Sequence, residues 1–172
     1  MLDRTFDMSW VRSNYMYSNF QPDQFNDNVK RLQQTLVEEK IDFDSIACRG
    51  VSGIMLASPL SFVTKKPLIV VRKTVEGNHG NSILEGYFPR DLRYIIVDDF
   101  ISTGATVRAI IEEINNCYRQ SRKKIKGSCY TLQKCECVGA FFYNGYNKPI
   151  IDKHHRFIKK YVKGPIRSIW PD

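Results

Sequence analysis

Residues 94–106 are the feature of this chain that most constrains how it can fold. They begin with a short apolar run, which predicts a buried strand, and two adjacent carboxylates, Asp98 and Asp99, follow that run. A turn of small and hydroxyl-bearing residues comes next, and an amphipathic helix begins after it. This order of strand, polar turn and helix predicts an α/β unit whose turn lies at the carboxyl edge of a sheet.

The turn and the two carboxylates suit different parts of one ligand. Free backbone amides and the positive end of the helix dipole would stabilise a phosphate at the turn. The carboxylates would repel that phosphate, but they suit neighbouring hydroxyls, such as the diol of a ribose, or a hydrated metal ion. The stretch therefore predicts a sugar-phosphate site, and the simpler alternative is an ordinary strand end with solvated Asp side chains. The turn residues are Ser102, Thr103, Gly104, Ala105 and Thr106.

The same stretch resembles the phosphoribosyl diphosphate (PRPP) signature of the type I phosphoribosyltransferases. That signature has an apolar strand, two acidic residues, two apolar residues and a Thr-Gly-x-Thr loop, which is present here at residues 103–106. The turn is not a P-loop, because no Gly-Lys-Ser/Thr follows it. The resemblance implies that Asp98 and Asp99 bind the ribose hydroxyls and that residues 102–106 hold the 5-phosphate.

The resemblance covers roughly residues 22–143 and implies a fold for the whole chain. The expected architecture is a three-layer, Rossmann-like α/β fold with a mostly parallel five-stranded sheet. Residues 1–172 would form one phosphoribosyltransferase domain, with a small variable hood from the termini at roughly 1–21 and 144–172. A chain of 172 residues is long enough to bury the core of one such domain.

The first half of the chain has the periodicity of a βαβ unit. A helix is predicted at residues 22–40, and strands are predicted at 41–48 and 67–71. The intervening apolar segment, residues 54–62, predicts a helix that is broken or ends near Pro59. Two strands joined through a helix predict a parallel pair.

The loop after the first strand is the second candidate site. Arg49 offers a bidentate cation and Gly50 allows close backbone approach to a ligand. A plain strand-to-helix turn explains the two residues equally well. Resembling enzymes bind pyrophosphate in a loop at this place, which implies that role for Arg49 and Gly50.

The third candidate group follows the second strand. Arg72 and Lys73 come directly after the strand, and a polar, glycine-bearing segment that contains His79 comes next. An Arg-Lys pair followed by His-Gly resembles the flexible lid of the orotate phosphoribosyltransferases, whose basic residues close over pyrophosphate. The resemblance implies that Arg72 and Lys73 bind pyrophosphate and that Lys73 and His79 are catalytic, together with the two carboxylates. The alternative for His79 is a solvated loop histidine.

Composition limits the remaining possibilities. No apolar run approaches the length of a membrane span, and the N-terminal residues are too charged for a signal peptide. Five scattered cysteines, an odd number, predict reduced thiols and a cytoplasmic protein. The net charge of +8 suits a polyanionic ligand, which is either PRPP or a nucleic acid.

The function implied by the resemblance is an Mg²⁺-dependent transfer of ribose 5-phosphate from PRPP to a nucleobase nitrogen, with release of pyrophosphate, in nucleotide metabolism or salvage. The Mg²⁺ would be carried largely by PRPP, so no protein metal site is expected. Orotate is favoured narrowly as the base over adenine or another purine. Hypoxanthine-guanine enzymes usually carry an Asp where Ser102 stands. Family members are commonly dimers, so a homodimer is expected.

Two further hypotheses belong to other classes of protein. The segment 153–167 holds six Lys or Arg and no acid, which predicts either a solvated basic face or a contact for RNA. An RNA-binding regulator with this fold is therefore an alternative, although it is not favoured. A non-catalytic sensor of PRPP or nucleotide is the other alternative.

Overall fold

A computed structural model of the chain describes residues 16–17, 19, 21–73, 82–124, 133–143 and 158–169. Helices and strands alternate along most of this part of the chain. The elements are α1 (Pro22–Glu38), β1 (Ser45–Arg49), α2 (Gly50–Thr64), β2 (Leu68–Val71), β3 (Leu84–Gly86), β4 (Asp91–Asp98), α3 (Ala105–Lys124), β5 (Lys134–Phe142) and β6 (Ile166–Ser168).

The strands form one mostly parallel sheet in the order β3-β2-β1-β4-β5-β6. Five neighbouring strands are parallel, and β3 runs antiparallel to β2 at one edge. The order places β1 between β2 and β4, with Ile46 opposite both Leu68 and Ile95. The carboxyl ends of these three strands therefore meet at one edge of the sheet.

Helices cover both faces of the sheet, which gives the three layers expected from the sequence. Alternate residues of β4 serve the two faces, because side chains along a strand point to opposite sides. Tyr94 and Ile96 pack against α3, whereas Ile95 and Val97 pack against α1 and α2. The buried residues of α3 repeat at helical spacing and are Val107, Ile110, Ile111, Ile114 and Tyr118.

The α/β fold class predicted from the sequence is confirmed, but the sheet has six strands rather than five. The additional strand is β6, which pairs with β5 through Ala140 and Ile166. It comes from the segment assigned to the hood, and the buried Ile158 and Val162 of the same segment belong to the core on the α3 side. The division into a core and a terminal hood stays a prediction, and most of the residues assigned to the hood lie outside the described part of the chain.

Helix α2 also differs from its predicted course, because it continues through Pro59 to Thr64. A proline in a helix interior removes one backbone hydrogen bond and usually bends or ends the helix. Here Leu56 and Leu60 are fully buried against β1 and β4, and burial of two leucine side chains contributes several kcal/mol. Packing on the sheet therefore holds the helix together across the proline.

The lengths of the helices and the state of the cysteines can also be compared with the predictions from composition. None of the helices in the described ranges combines the length and the apolar character needed to cross a bilayer. The four cysteines in these ranges are free thiols, and Cys48 and Cys137 are buried.

Candidate active site

One cleft at the carboxyl edge of the sheet brings together most of the residues singled out in the sequence. It lies where β1, β2 and β4 end and has a volume of about 190 Å³. Two cations, Arg49 and Lys73, line the cleft, and so do Asp98 and Asp99. The rest of its wall is formed largely by the turn before α3, which contributes Ser102, Thr103, Gly104, Ala105 and Thr106.

Asp98 and Asp99 are buried although they line the cleft, with 3% and 5% of their surface exposed. Their carboxylates accept hydrogen bonds from the following backbone amides, at 3.0 Å from Asp99 N to Asp98 Oδ1 and 2.9 Å from Phe100 N to Asp99 Oδ1. Burial, followed by the neighbouring charge of Asp99, raises the pKa of Asp98 from 3.8 to about 7. Near neutral pH this site therefore exchanges a proton, and perturbed carboxylates in a cleft are typical of functional sites.

Arg49 ends β1 and brings an unsatisfied donor to the cleft. Its Nε is buried and has no hydrogen-bond partner among the described residues. A buried, unpaired guanidinium donor is costly unless a ligand satisfies it. Arg49 therefore suits an anionic ligand bound in the cleft.

Lys73 lies close to the backbone of Gly50, and the backbone conformation of Gly50 favours glycine. Gly50 has φ of +70°, a conformation that favours glycine, and a Cβ added there would lie 2.8 Å from Lys73 Cε. The lysine stem therefore crosses directly over the first residue of α2. Its ammonium and the first turn of the helix face the same side of the cleft.

The turn before α3 has the geometry of an anion cradle. Gly104 adopts a φ of +73°, and α3 begins at the next residue. Thr103 Oγ1 accepts a hydrogen bond from Ala105 N at 3.3 Å, and Gly104 O accepts one from Arg108 N at 2.9 Å as the helix starts. Residues 102–107 line the cleft, so the start of α3 and the positive end of its dipole lie there and would stabilise negative charge.

Among the predicted site residues that the structure describes, Arg72 and Gly50 do not line the cleft, although Gly50 lies against the Lys73 side chain. Among the described residues, Arg72 pairs with Glu85 of the edge strand β3, and its amide donates to Ile83 O at 2.8 Å. Of this pair of cations, Lys73 lines the cleft and Arg72 does not. His79 lies outside the described residues.

Four residues that line the cleft were not predicted as site residues, namely Ser52, Phe100, Ile101 and Val107, and the first two have polar or exposed groups there. Ser52 lies in the first turn of α2 and donates a hydrogen bond to Asp98 Oδ1 at 3.3 Å. Phe100, directly after the carboxylates, keeps 41% of its surface exposed at the cleft. An exposed aromatic ring beside an acidic pair was a usable signal, whereas the contact of Ser52 depends on the packing of α2 against β4.

Within the described ranges, no group of three or more His, Cys, Asp or Glu residues is placed to hold a metal ion. Asp98 and Asp99 already accept backbone hydrogen bonds, whereas Mg²⁺ needs six oxygen ligands.

No family model matches the chain, but several curated proteins are similar to it. An adenine phosphoribosyltransferase of Ureaplasma parvum is 32% identical over 125 residues, which are 60% of this chain and 69% of that protein. An orotate phosphoribosyltransferase of Methanocaldococcus jannaschii is 27% identical over 62% of this chain and 61% of that protein. HGPRTase-like protein 2 of Haloterrigena turkmenica is 34% identical over 55% of this chain and 58% of that protein. The chain thus spans about three fifths of the length of the last two relatives.

Solved structures show the same fold. Adenine phosphoribosyltransferase of Saccharomyces cerevisiae matches 87% of this chain with a TM-score of 0.60 and 18% identity, over 80% of its own length. Orotate phosphoribosyltransferase of Mycobacterium tuberculosis, solved with PRPP, matches 83% of this chain with a TM-score of 0.54 and 13% identity, over 69% of its own length. The sheet order and the cleft at its carboxyl edge define a Rossmann-like α/β protein with a ligand site at the strand ends. The chain belongs to the type I phosphoribosyltransferase family.

Proposed function

We propose that this protein transfers the ribose 5-phosphate group of PRPP to a ring nitrogen of a nucleobase and releases pyrophosphate. The observation that carries the proposal is the single cleft that gathers two cations, two buried carboxylates and a helix N-terminal turn. PRPP has a phosphate at one end, a ribose diol in the middle and a pyrophosphate at the other. The cleft offers a matching group for each of these parts.

Each group in the cleft has a separate task in this reaction. Residues 102–106 hold the 5-phosphate and so fix the position of the ribose ring. Asp98 and Asp99 accept hydrogen bonds from the ribose hydroxyls and lie beside the positive charge that develops on the ring. Arg49 and Lys73 bind the pyrophosphate, and their charges stabilise the negative charge that grows on it.

The bond changes follow from that arrangement. The bond from ribose C1 to the pyrophosphate oxygen breaks, and its electron pair leaves with the pyrophosphate. A lone pair of the base nitrogen forms the new bond to C1, as in other glycosyl transfers with an oxocarbenium-like transition state. The backbone around residues 49–50 and 102–106 orients the two phosphate ends. The entropy of aligning the reacting groups is therefore lost on binding, before the bond to C1 breaks.

We propose that Mg²⁺ enters as part of the PRPP complex. The two carboxylates and the absence of a three-residue metal cluster within the described part of the chain support this route. When bound, Mg²⁺ supplies charge neutralisation on the pyrophosphate oxygens. The protein's own contribution is the pair of cations at the same end of the cleft.

We propose orotate as the first candidate base and adenine as the second. Relatives named for orotate and for adenine support these two bases, and an HGPRTase-like relative keeps another purine as an alternative. Against that alternative, Ser102 stands where hypoxanthine-guanine enzymes usually carry an Asp. The exposed ring of Phe100 at the cleft suits stacking on either base. The expected homodimer, the cytoplasmic location and the roles of Arg72 and His79 stay predictions.

A base panel tests the proposed function. The purified chain is incubated with PRPP, Mg²⁺ and one base at a time, chosen from orotate, adenine, hypoxanthine, guanine and uracil. We expect pyrophosphate and one new nucleoside 5′-monophosphate in equal amounts, identified by mass. Binding of PRPP without turnover on any base would contradict the enzyme and support the non-catalytic sensor instead.

A further inference from the structure

A chain of hydrogen bonds links the end of β5 to the carboxylate of Asp98. The hydroxyl of Tyr143 donates to Ser52 O at 2.6 Å, and Ser52 Oγ donates to Asp98 Oδ1 at 3.3 Å. The backbone of Tyr143 also contacts Asp98 directly, because the Tyr143 amide donates a hydrogen bond to Asp98 O at 3.3 Å. Tyr143 therefore contacts Ser52, which donates a hydrogen bond to the carboxylate, and also Asp98, which carries the carboxylate.

We propose that Ser52 is a positioning residue that fixes the orientation of the Asp98 carboxylate and favours its ionised form, and that Tyr143 holds Ser52 in place for this task. The catalytic consequence rests on the proposed function, because ionised Asp98 is the form that accepts hydrogen bonds from a ribose. The structural consequence does not rest on it, because the hydrogen bond exists in the protein itself.

The backbone that carries the Ser52 hydroxyl is fixed, because the first turn of α2 packs against the sheet. Gly53 packs so closely that an added Cβ would lie 3.1 Å from Val97 O and 3.2 Å from Cys48 Cβ. Tyr143 is 2% exposed and fixes the same turn from the β5 side. The turn is held on two sides, so the distance from Ser52 to Asp98 is set by the core.

Several titratable groups surround Asp98, and they act in opposite directions. Burial and the charge of Asp99 disfavour the ionised carboxylate, and Cys48 is a buried acidic neighbour. The hydrogen bonds from Asp99 N and Ser52 Oγ favour the ionised form, and the cations Arg49 and Lys73 line the same cleft. Ser52 is the neutral donor in this set, and a hydrogen bond to a carboxylate favours its charged form. Changing Ser52 therefore changes the proton affinity of Asp98 without changing the formal charge of the cleft. The groups around Asp98 are Asp99 directly after β4, Cys48 and Arg49 on β1, Lys73 after β2 and Tyr143 after β5.

The direct test is an NMR titration of the Asp98 carboxyl carbon in the ligand-free protein, assigned with Asp98→Asn. In Ser52→Ala we expect the midpoint to rise by about half to one pH unit, which is the effect of losing one hydrogen bond to a charged group. Ser52→Thr keeps a hydroxyl and should restore the wild-type midpoint. Ser58→Ala, an exposed serine of the same helix, is the matched control and should leave it unchanged.

Tyr143 is tested against a second buried tyrosine with the same chemistry. The hydroxyl of Tyr118 donates to Pro89 O, also at 2.6 Å, and Tyr118 is fully buried on the opposite face of the sheet. Tyr143→Phe and Tyr118→Phe should lose similar thermal stability. Only Tyr143→Phe should raise the Asp98 midpoint, by less than Ser52→Ala does.

Activity measurements separate this inference from the proposed function. In the enzyme, the acid limb of the kcat profile should move to higher pH in Ser52→Ala by the same amount as the NMR midpoint, and return in Ser52→Thr. An unchanged Asp98 midpoint in Ser52→Ala would overturn the role of Ser52, even in an active enzyme. A shifted midpoint in a protein without transferase activity would leave the role of Ser52 standing and contradict the proposed function.

Discussion

At the scale of single residues, the cleft combines groups that are unfavourable in isolation. Asp98 and Asp99 are adjacent, buried carboxylates, and Arg49 Nε is a buried donor without a partner among the described residues. Each costs free energy in the folded protein. A concentration of such groups at one edge of the sheet is typical of a binding site.

Asp98→Asn should reveal the free-energy cost of burying the ionised Asp98 carboxylate, through the pH dependence of the free energy of unfolding. The folded pKa of Asp98 is raised to about 7 from 3.8, so between these values the native state binds more protons than the unfolded state. Stability therefore falls as pH rises through this window, and the deficit is complete above pH 7. At pH 8 we expect Asp98→Asn to raise the free energy of unfolding by about 2 to 4 kcal/mol, since one pKa unit is about 1.4 kcal/mol.

The measurement is urea unfolding of both proteins at pH 4 and pH 8. At pH 4 the gain from Asp98→Asn should nearly disappear, because Asp98 is then neutral in the folded state as well. If Asp98→Asn raised the free energy of unfolding equally at both pH values, the raised pKa of a buried Asp98 would be contradicted. Turnover in the same variant should be lower than in the wild type at every pH.

Arg72 and Lys73 are adjacent cations for which the structure predicts different outcomes. Lys73→Ala removes a cation from the cleft and should lower kcat by about 10²-fold, the scale for one preorganised charge contact. Arg72→Ala removes the ion pair with Glu85 instead, and should affect thermal stability more than kcat. Lys30→Ala, an exposed lysine of α1, is the control.

Steady-state kinetics at saturating PRPP and Mg²⁺ distinguish these outcomes. Equal losses of kcat in Arg72→Ala and Lys73→Ala would show that both side chains reach the pyrophosphate, contrary to the placement of Arg72 beside β3.

At the scale of elements, the start of α2 depends on a backbone conformation that few residues adopt. Gly50→Ala places a Cβ in a left-handed conformation and against Lys73 Cε. We expect a loss of about 1 to 2 kcal/mol of stability from the conformation alone, and a higher KM for PRPP because Lys73 is displaced. The measurements are thermal unfolding and initial rates over a range of PRPP concentrations.

The control for Gly50→Ala is Ser58→Ala, which lies on the exposed side of the same helix. A Gly50→Ala protein with unchanged stability and unchanged KM would mean that neither the backbone conformation nor the approach of Lys73 matters.

Local chemistry made one part of the site predictable from the sequence. The strand, carboxylates and turn of residues 94–106 are contiguous, so their arrangement follows from local rules and from the resemblance. The partner of Arg72 was not predictable, because Glu85 is brought to it by an antiparallel edge strand that the sequence pattern does not reveal. The course of α2 through Pro59 and the pairing of β6 also depend on packing between distant segments.

At the scale of the whole molecule, the sheet order is what makes the cleft. The central position of β1 brings the end of β1 beside the ends of β2 and β4, although residues 49, 73 and 98 are far apart in the chain. The two cores on either face of the sheet hold these strands in register. The cleft therefore depends on contacts between residues that are far apart in the sequence. The central claim is that this one cleft binds both ends of PRPP.

Calorimetric titration in the presence of Mg²⁺ tests that claim most directly, with PRPP, pyrophosphate and ribose 5-phosphate as the three ligands. Thr106→Val alters the turn and should weaken ribose 5-phosphate but not pyrophosphate, whereas Lys73→Ala should weaken pyrophosphate but not ribose 5-phosphate. Both variants should weaken PRPP, each by about tenfold or more, which is the loss of one charge-assisted hydrogen bond or its equivalent. The account would be contradicted if wild-type protein failed to bind PRPP, or if either variant bound all three ligands as the wild type does.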